Sequence, residues 1–140
     1  MRRSWLLIIT SALTIWLPYV IDEPQAQAQA CAKNNVCVWR DTNWSGCFYQ
    51  WPGHSIPDLK TTRYQNCPDV SLNDSISSFT NSWEGDTTWL VFWVDTNMKG
   101  AVWCTTPHGS ANVPGKFNDK FSSVTIHGAA SRDSKPTSCQ

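Results

Sequence analysis

Charge is scarce in this sequence, and the charges that are present cancel. Only 16% of the 140 residues are charged, and 11 lysines and arginines balance 11 aspartates and glutamates. Proteins that bind nucleic acids or anionic membrane surfaces usually carry clusters of basic residues and a positive net charge. The composition therefore gives no support for a nucleic-acid partner, and we expect none.

The motifs of common hydrolytic and metal-dependent enzymes are also missing. The histidines are scattered, and the chain contains no H-E-x-x-H, no G-x-S-x-G and no phosphate-binding glycine loop. Glu84 is the only glutamate after residue 30, which leaves little for hydrolysis by paired carboxylates. No two cysteines have the C-x-x-C spacing of thiolate zinc sites. We expect a protein that binds rather than an enzyme.

The beginning of the chain has the composition of a secretory signal peptide. Two arginines precede the apolar run WLLIITSALTIWLPYVI, and Ala28 and Ala30 are small residues suited to cleavage before Cys31. An uncleaved membrane anchor is one alternative, because about 18 apolar residues approach the length that spans a membrane. Lipidation of Cys31 is another. We expect a signal peptide at residues 1–30, and a secreted domain at residues 31–140 that has no membrane partner.

Six cysteines remain after the proposed cleavage. They are Cys31, Cys37, Cys47, Cys67, Cys104 and Cys139. An even number in a short exported chain indicates a disulfide framework, for which fifteen pairings are possible. Proximity along the chain favours pairing the first with the second, the third with the fourth and the fifth with the sixth. Each bridge would contribute roughly 2 to 4 kcal/mol, which matters in a small domain that buries little surface.

One nine-residue pattern occurs twice. The segments WRDTNWSGC, from Trp39, and WVDTNMKGA, from Trp93, agree at five positions and each follows a β-rich stretch. Asp-Thr-Asn favours a turn, and Gly46 and Gly100 can adopt the positive φ that other residues avoid. Each copy therefore predicts a strand, a tight turn and a return strand.

A second short pattern follows each predicted hairpin. NDSISS begins at Asn73 and NDKFSS begins at Asn118. Alone, such a segment would be a turn whose side chains bond their own backbone. The order of hairpin, loop, N-D-x-x-S-S and strand occurs twice, and no helical period exceeds two turns. We predict an all-β chain of about eight short strands, arranged as two similar four-stranded units.

These patterns resemble two related groups of proteins. The hairpins resemble the first hairpin of a βγ-crystallin Greek key, and NDSISS and NDKFSS resemble the calcium signature of microbial βγ-crystallins. The segments CAKNNVC, CVWRDTNWSG and NDSISSFTN also resemble peptidase inhibitor family I36, whose founding members inhibit metalloproteinases.

The resemblance spans about Val36 to Ile126 and implies a βγ-crystallin-type sandwich of two Greek-key motifs, stapled by disulfides that include Cys31 with Cys37. The motifs would cover about residues 36–82 and 88–128, followed by a C-terminal tail at residues 129–140. Met98 replaces the usual aromatic residue of the second hairpin. We expect looser packing there with unchanged topology.

The resemblance also implies calcium between the two Greek keys, where each ion would contact the N-D-x-x-S-S arm of one key and the hairpin loop of the other. The predicted ligands are Asn73 or Asp74, the Ser75 carbonyl and the Ser77 hydroxyl for one site, and Asn118 or Asp119, the Lys120 carbonyl and the Ser122 hydroxyl for the second. Calcium accepts such mixed oxygen ligands, and its affinity rises with their charge. We therefore expect up to two ions, bound with micromolar or weaker affinity.

Two functions remain open at this stage. In the first, the protein inhibits an extracellular protease with a rigid, disulfide-held loop. In the alternative, it is a calcium-stabilised structural module, or a surface- or carbohydrate-binding module, without a protease target. Trp51 and Trp83 have loop-like neighbours and are the candidate contact surface, whereas Trp39 and Trp93 are expected in the core. A monomer is expected in both cases.

Overall fold

The strands of this protein form two antiparallel sheets. A computed structural model describes residues 29–85, 87–128 and 134–140, so nearly all of the predicted signal peptide lies outside the described residues. The strands are β1 (Val36–Asp41), β2 (Ser45–Trp51), β3 (Ser78–Asn81), β4 (Thr88–Asp95), β5 (Lys99–Thr105), β6 (Ser110–Asn112) and β7 (Ser123–Gly128). Two single-turn 3₁₀ helices, Leu59–Thr61 and Thr137–Cys139, are the helices of the described chain. None of the described helices is long and apolar enough to cross a membrane.

Both predicted hairpins are confirmed. β1 pairs with β2 and β4 pairs with β5, and in each pair the register shifts just before the turn. The turn residues Asn43 and Asn97 have φ of 58° and 57°, and the glycines Gly46 and Gly100 have φ of 76° and 77°. Met98 has a φ of 57°, close to the 55° of Trp44, so its substitution for an aromatic residue leaves the backbone unchanged.

The two predicted repeats exchange strands. The first sheet has the order β2-β1-β3-β6, so its last strand comes from the second repeat, and the second sheet has the order β5-β4-β7. In exchange, the first repeat contributes a single residue to the second sheet: Ile56 forms an isolated β-bridge with Val124 of β7. Pro52 and Pro57 flank this bridge, and proline cannot donate to a strand ladder. The sequence therefore limits the expected eighth strand to a single bridged residue.

The core lies between the two sheets and is rich in aromatic side chains. Phe79 of β3, Phe92 of β4, Trp103 of β5 and Phe121 contact one another with ring centroids 4.9–6.0 Å apart. Such contacts add to the burial of the rings themselves. The core joins residues of both repeats, so neither repeat has a complete core alone.

Each sheet also has an outer face, which one end of the chain covers. The disulfide bonds are Cys31–Cys37, Cys47–Cys67 and Cys104–Cys139, which are the pairs predicted from proximity along the chain. Trp39 packs with Cys37 and Phe48 in a small buried cluster on the first outer face. Residues 134–140 of the predicted tail are tied to β5 by the last bridge, while residues 129–133 lie outside the described part.

Candidate metal site

The two N-D-x-x-S-S arms lie side by side at the junction of the repeats. The backbone N–H of Asp74 donates to the carbonyl of Phe121 over 2.9 Å, and that of Asp119 donates to the carbonyl of Ile76 over 3.5 Å. Both aspartates have left-handed backbone conformations, with φ of 52° and 54°. Each arm is therefore held by the other repeat. As a result, the carboxylate of each arm lies next to the arm of the other repeat.

Each of these two carboxylates accepts a hydrogen bond from a serine of the other repeat. Ser77 Oγ donates to Asp119 Oδ1 over 3.2 Å, and Ser122 Oγ donates to Asp74 Oδ1 over 3.5 Å. Both serines are buried. A site built around either hydroxyl thus includes the carboxylate of the other arm.

The hairpin that adjoins each serine belongs to the serine's own repeat. The backbone N–H of Ser77 donates to the carbonyl of Trp39 over 3.0 Å, and that of Ser122 donates to the carbonyl of Trp93 over 2.8 Å. The predicted grouping, with carboxylate and serine from one arm and the hairpin from the other key, stays a prediction, and the hydrogen bonds place each serine beside its own hairpin and the carboxylate of the other arm. The arms must cross for their backbones to hydrogen-bond, and this crossing exchanges the aspartates.

The asparagines orient the carboxylates. Asn73 Nδ2 donates to Asp74 Oδ2 and Asn118 Nδ2 donates to Asp119 Oδ2, both over 2.6 Å. The two asparagine Oδ1 atoms are buried and have no hydrogen-bond partner in the described part of the chain. Buried acceptors are normally satisfied, so each arm contains an oxygen with unused capacity.

A cleft of about 280 Å³ opens beside the first of these groups. Its lining residues are Arg40, Asp41, Asp74, Ser75, Ser77 and Asp119. Three carboxylates and one guanidinium give the lining a negative balance, which favours a cation. Within the described ranges, no group of three His, Cys, Asp or Glu residues is close enough to hold a metal alone. A cation here would depend on hydroxyl and carbonyl oxygens as well.

In the second arm, the Lys120 side chain is hydrogen-bonded outside the predicted metal ligands. Lys120 Nζ donates to the carbonyl of Lys116 over 2.9 Å. Lys120 is exposed, and its ammonium is directed along its own loop. Its backbone carbonyl thus remains the only predicted contribution of this residue to a metal site.

Tyr64 is a supporting residue that the sequence did not reveal. Its hydroxyl donates to the Ser75 carbonyl over 2.9 Å, and its ring is 1% exposed. Burial raises the pKa of the Tyr64 phenol well above 10.0, so the neutral form is favoured in the folded state. Its contribution to stability is therefore complete below about pH 10 and is lost as the pH rises through the folded pKa. No sequence pattern marks this tyrosine, because it acts through a contact 11 residues along the chain.

The predicted contact surface is wrong for Trp51, which is buried, and stays a prediction for Trp83. Trp51 is 2% exposed, and its Nε1 donates to the carbonyl of His54 over 2.9 Å. Trp83 is half-buried, and its ring lies where a side chain on Gly53 would be. Trp93, expected in the core, is also only half-buried, because it lies on the outer face of the second sheet. Local loop composition did not predict burial, since strand β2 extends to include Trp51.

Comparison with known proteins assigns the family. The sequence model of peptidase inhibitor family I36 matches residues 24–105, which is more than half of the chain. The chain belongs to peptidase inhibitor family I36. This membership agrees with the expectation of a non-enzymatic protein. No match was found among curated proteins.

Solved structures show that this I36 protein has the βγ-crystallin fold. A structure concerned with the evolution of the eye-lens βγ-crystallin domain fold is 20% identical, with a TM-score of 0.56, and the match covers 69% of this chain and 88% of that one. A βγ-crystallin domain from Flavobacterium johnsoniae is 23% identical (TM-score 0.52; 69% and 97% covered). A βγ-crystallin from Ciona intestinalis is 24% identical (TM-score 0.50; 66% and 99% covered). The predicted fold is therefore confirmed.

Proposed function

We propose that this I36 protein is a secreted, non-enzymatic inhibitor of an extracellular peptidase, stabilised by calcium between its two repeats. The family match over residues 24–105 carries the proposal. The fold alone would not, because one fold supports many functions.

Rigidity supports an inhibitory role. The long connection between β2 and β3 is tied to the body by Cys47–Cys67, and Leu59 within it donates to the carbonyl of Ser122 over 2.9 Å. A binding surface that is ordered before association loses less conformational entropy when it binds. The same restraint opposes the local unfolding on which proteolysis depends.

Disulfide bonding supports secretion. All six cysteines are paired, which is typical of proteins in oxidising compartments. The apolar segment before Cys31 supplies the corresponding export signal. Extracellular calcium is abundant, so weak sites would be filled there.

The crossed arms support calcium binding. Each group combines one carboxylate, one serine hydroxyl and nearby carbonyl oxygens, and calcium accepts all of these ligands. The unused oxygens Asn73 Oδ1 and Asn118 Oδ1 increase the number of donors within the arms. One carboxylate per serine is a low ligand charge, so the affinity is expected to be micromolar or weaker.

Tyr64→Phe is expected to weaken calcium binding at the Ser75 site about tenfold, because residues that orient metal ligands typically contribute that much. The hydroxyl that positions the Ser75 carbonyl would be lost, while the ring would still fill its place. Calorimetric titration of the chelator-stripped protein measures the change. The site at Ser122 serves as an internal control and should keep its affinity. Equal weakening at both sites would contradict this role.

The inhibition itself is tested with the purified secreted protein against thermolysin-like and subtilisin-like peptidases. We expect a stoichiometric loss of activity for at least one class, and survival of the intact chain on a non-reducing gel. A protein with its disulfides reduced and alkylated provides the control and should not inhibit. Failure against both classes at micromolar protein would contradict the proposal and favour a calcium-stabilised structural or surface module.

A further inference from the structure

A groove on the outer face of the first sheet has a different chemistry from the metal cleft. Its volume is about 350 Å³, and it is lined by Gln29, Ala30, Cys31, Trp39, Trp44, Thr80, Ser82 and Ser110. Two of these residues are tryptophans, three carry hydroxyl groups, and none carries a charged side chain. Ligand pockets typically have volumes of about 300–1,000 Å³, so the groove suits a small ligand.

The groove contains a tryptophan whose polar group is unused. Trp39 is 3% exposed, and its Nε1 is buried without a hydrogen-bond partner in the described chain. Its ring is fixed against Phe48, with centroids 5.2 Å apart. Buried donors are nearly always satisfied, so this N–H favours an acceptor that the protein itself does not supply.

The second repeat shows how the same position is normally satisfied. Trp93 is the counterpart of Trp39, and its Nε1 donates to Thr125 Oγ1 over 2.8 Å. The register places Thr125 opposite Val91, two residues before that tryptophan. The second repeat thus uses its own threonine as the acceptor.

In the first repeat, the corresponding threonine is engaged elsewhere. Thr80 lies opposite Cys37, two residues before Trp39, and is therefore equivalent to Thr125. Its Oγ1 shares a hydrogen bond of 2.8 Å with Ser110 Oγ. Ser110 belongs to β6, the strand that the first sheet gains from the second repeat. Thr80 thus contacts β6 instead of the tryptophan, and Trp39 Nε1 has no partner in the described chain.

Trp44 provides a fixed aromatic surface beside this donor. Its Nε1 donates to the carbonyl of Phe79 over 3.2 Å, and its backbone N–H donates to Ser78 Oγ over 3.1 Å. The side chain remains half-buried and lines the groove. Met98 takes its place in the second repeat, so the combination of aromatic surface and unused donor belongs to the first repeat.

We propose that this groove binds a saccharide. The apolar face of a sugar ring would stack on Trp44, a sugar oxygen would accept from Trp39 Nε1, and the hydroxyls of Thr80, Ser82 and Ser110 would face the remaining sugar hydroxyls. The inference rests on the proposed secretion. The secreted chain would begin at Cys31 and would lack Gln29 and Ala30, which line the groove of the full chain.

The probes are soluble hexasaccharides of β-1,4-linked glucose, xylose and N-acetylglucosamine, titrated into the purified secreted protein after its N-terminus has been sequenced. We expect at least one probe to bind and to change the tryptophan fluorescence. Trp44→Ala should weaken binding more than tenfold by removing the stacking surface. Trp39→Phe should weaken it about tenfold, because it keeps the ring and removes one hydrogen bond.

The second repeat supplies matched controls. Met98→Ala and Trp93→Phe, at the equivalent positions, should leave saccharide affinity within twofold of the unchanged protein. The proposal is overturned if none of the three hexasaccharides binds at 10 mM, or if a bound probe retains its affinity in both Trp44→Ala and Trp39→Phe.

Peptidase inhibition by Trp44→Ala separates this inference from the proposed function. Retained inhibition is expected, because the groove is not part of the proposed inhibitory role. Saccharide binding without inhibition in the unchanged protein would contradict the inhibitor proposal alone. An N-terminus upstream of Cys31 would contradict the proposed cleavage, and the titration would still decide the saccharide proposal for that protein.

Discussion

Replacing Phe92 by alanine is expected to lower the free energy of unfolding by about 3–5 kcal/mol, the usual range for a buried phenylalanine. Phe92 is fully buried and contacts Phe79, Trp103 and Phe121 with ring centroids 4.9–6.0 Å apart. These partners come from both sheets, so collapse of one sheet cannot fill the cavity. Urea unfolding with the disulfides intact, followed by tryptophan fluorescence, measures the change.

Phe117→Ala is the control for this prediction. Phe117 is only half-buried and contacts Phe121 at the margin of the same cluster, with centroids 6.0 Å apart. We expect a loss well below that of Phe92→Ala. Equal losses for the two variants would show that the junction of the sheets does not dominate stability.

Replacing Ser77 by arginine is expected to reduce the number of bound calcium ions from two to one. Ser77 is 5% exposed and its Oγ lies 3.2 Å from Asp119 Oδ1, so a guanidinium there would neutralise the carboxylate and occupy the site. At a hundredfold excess of calcium over the dissociation constant, one lost site removes about 2.7 kcal/mol of stabilisation. Calorimetric titration and thermal unfolding with and without calcium measure the two effects.

Two further variants keep this test decisive. Ser122→Arg should remove the other site and leave the site at Ser77, because the aspartates are exchanged between the arms. Ser77→Ala removes only the hydroxyl and should weaken the same site without adding bulk, which guards against a failure of the arginine variant to fold. Two ions bound to Ser77→Arg, or none bound to the unchanged protein, would contradict the calcium proposal.

Local patterns predicted the elements that local chemistry controls. The Trp-x-Asp-Thr-Asn segments became the turns of β1-β2 and β4-β5, because Asn43, Asn97 and the following glycines accept left-handed conformations. A side chain at Gly46 or Gly100 would also collide with an aspartate of the preceding strand. These requirements are visible in nine residues, so the sequence displays them directly.

Burial was harder to predict from neighbours in the chain. Trp51 was expected at the surface because it stands beside proline and glycine, yet β2 carries it into the core. Trp93 shares its hairpin pattern with Trp39, yet the two differ in exposure and in hydrogen bonding. The packing of distant segments decides such differences, and a local pattern does not contain it.

The sequence by itself determined the β class, the two hairpins and the oxygen-rich arms, because each depends on residues close together in the chain. Only the tertiary structure decided which aspartate joins which serine, that Tyr64 supports Ser75, and that Trp39 Nε1 has no partner among the described residues. The physical reason is the exchange of strands. It brings β6 and the arms of one repeat against the other, in contacts that join residues 30 to 48 positions apart. The contact of Tyr64 with Ser75 lies within the first repeat and joins residues 11 positions apart.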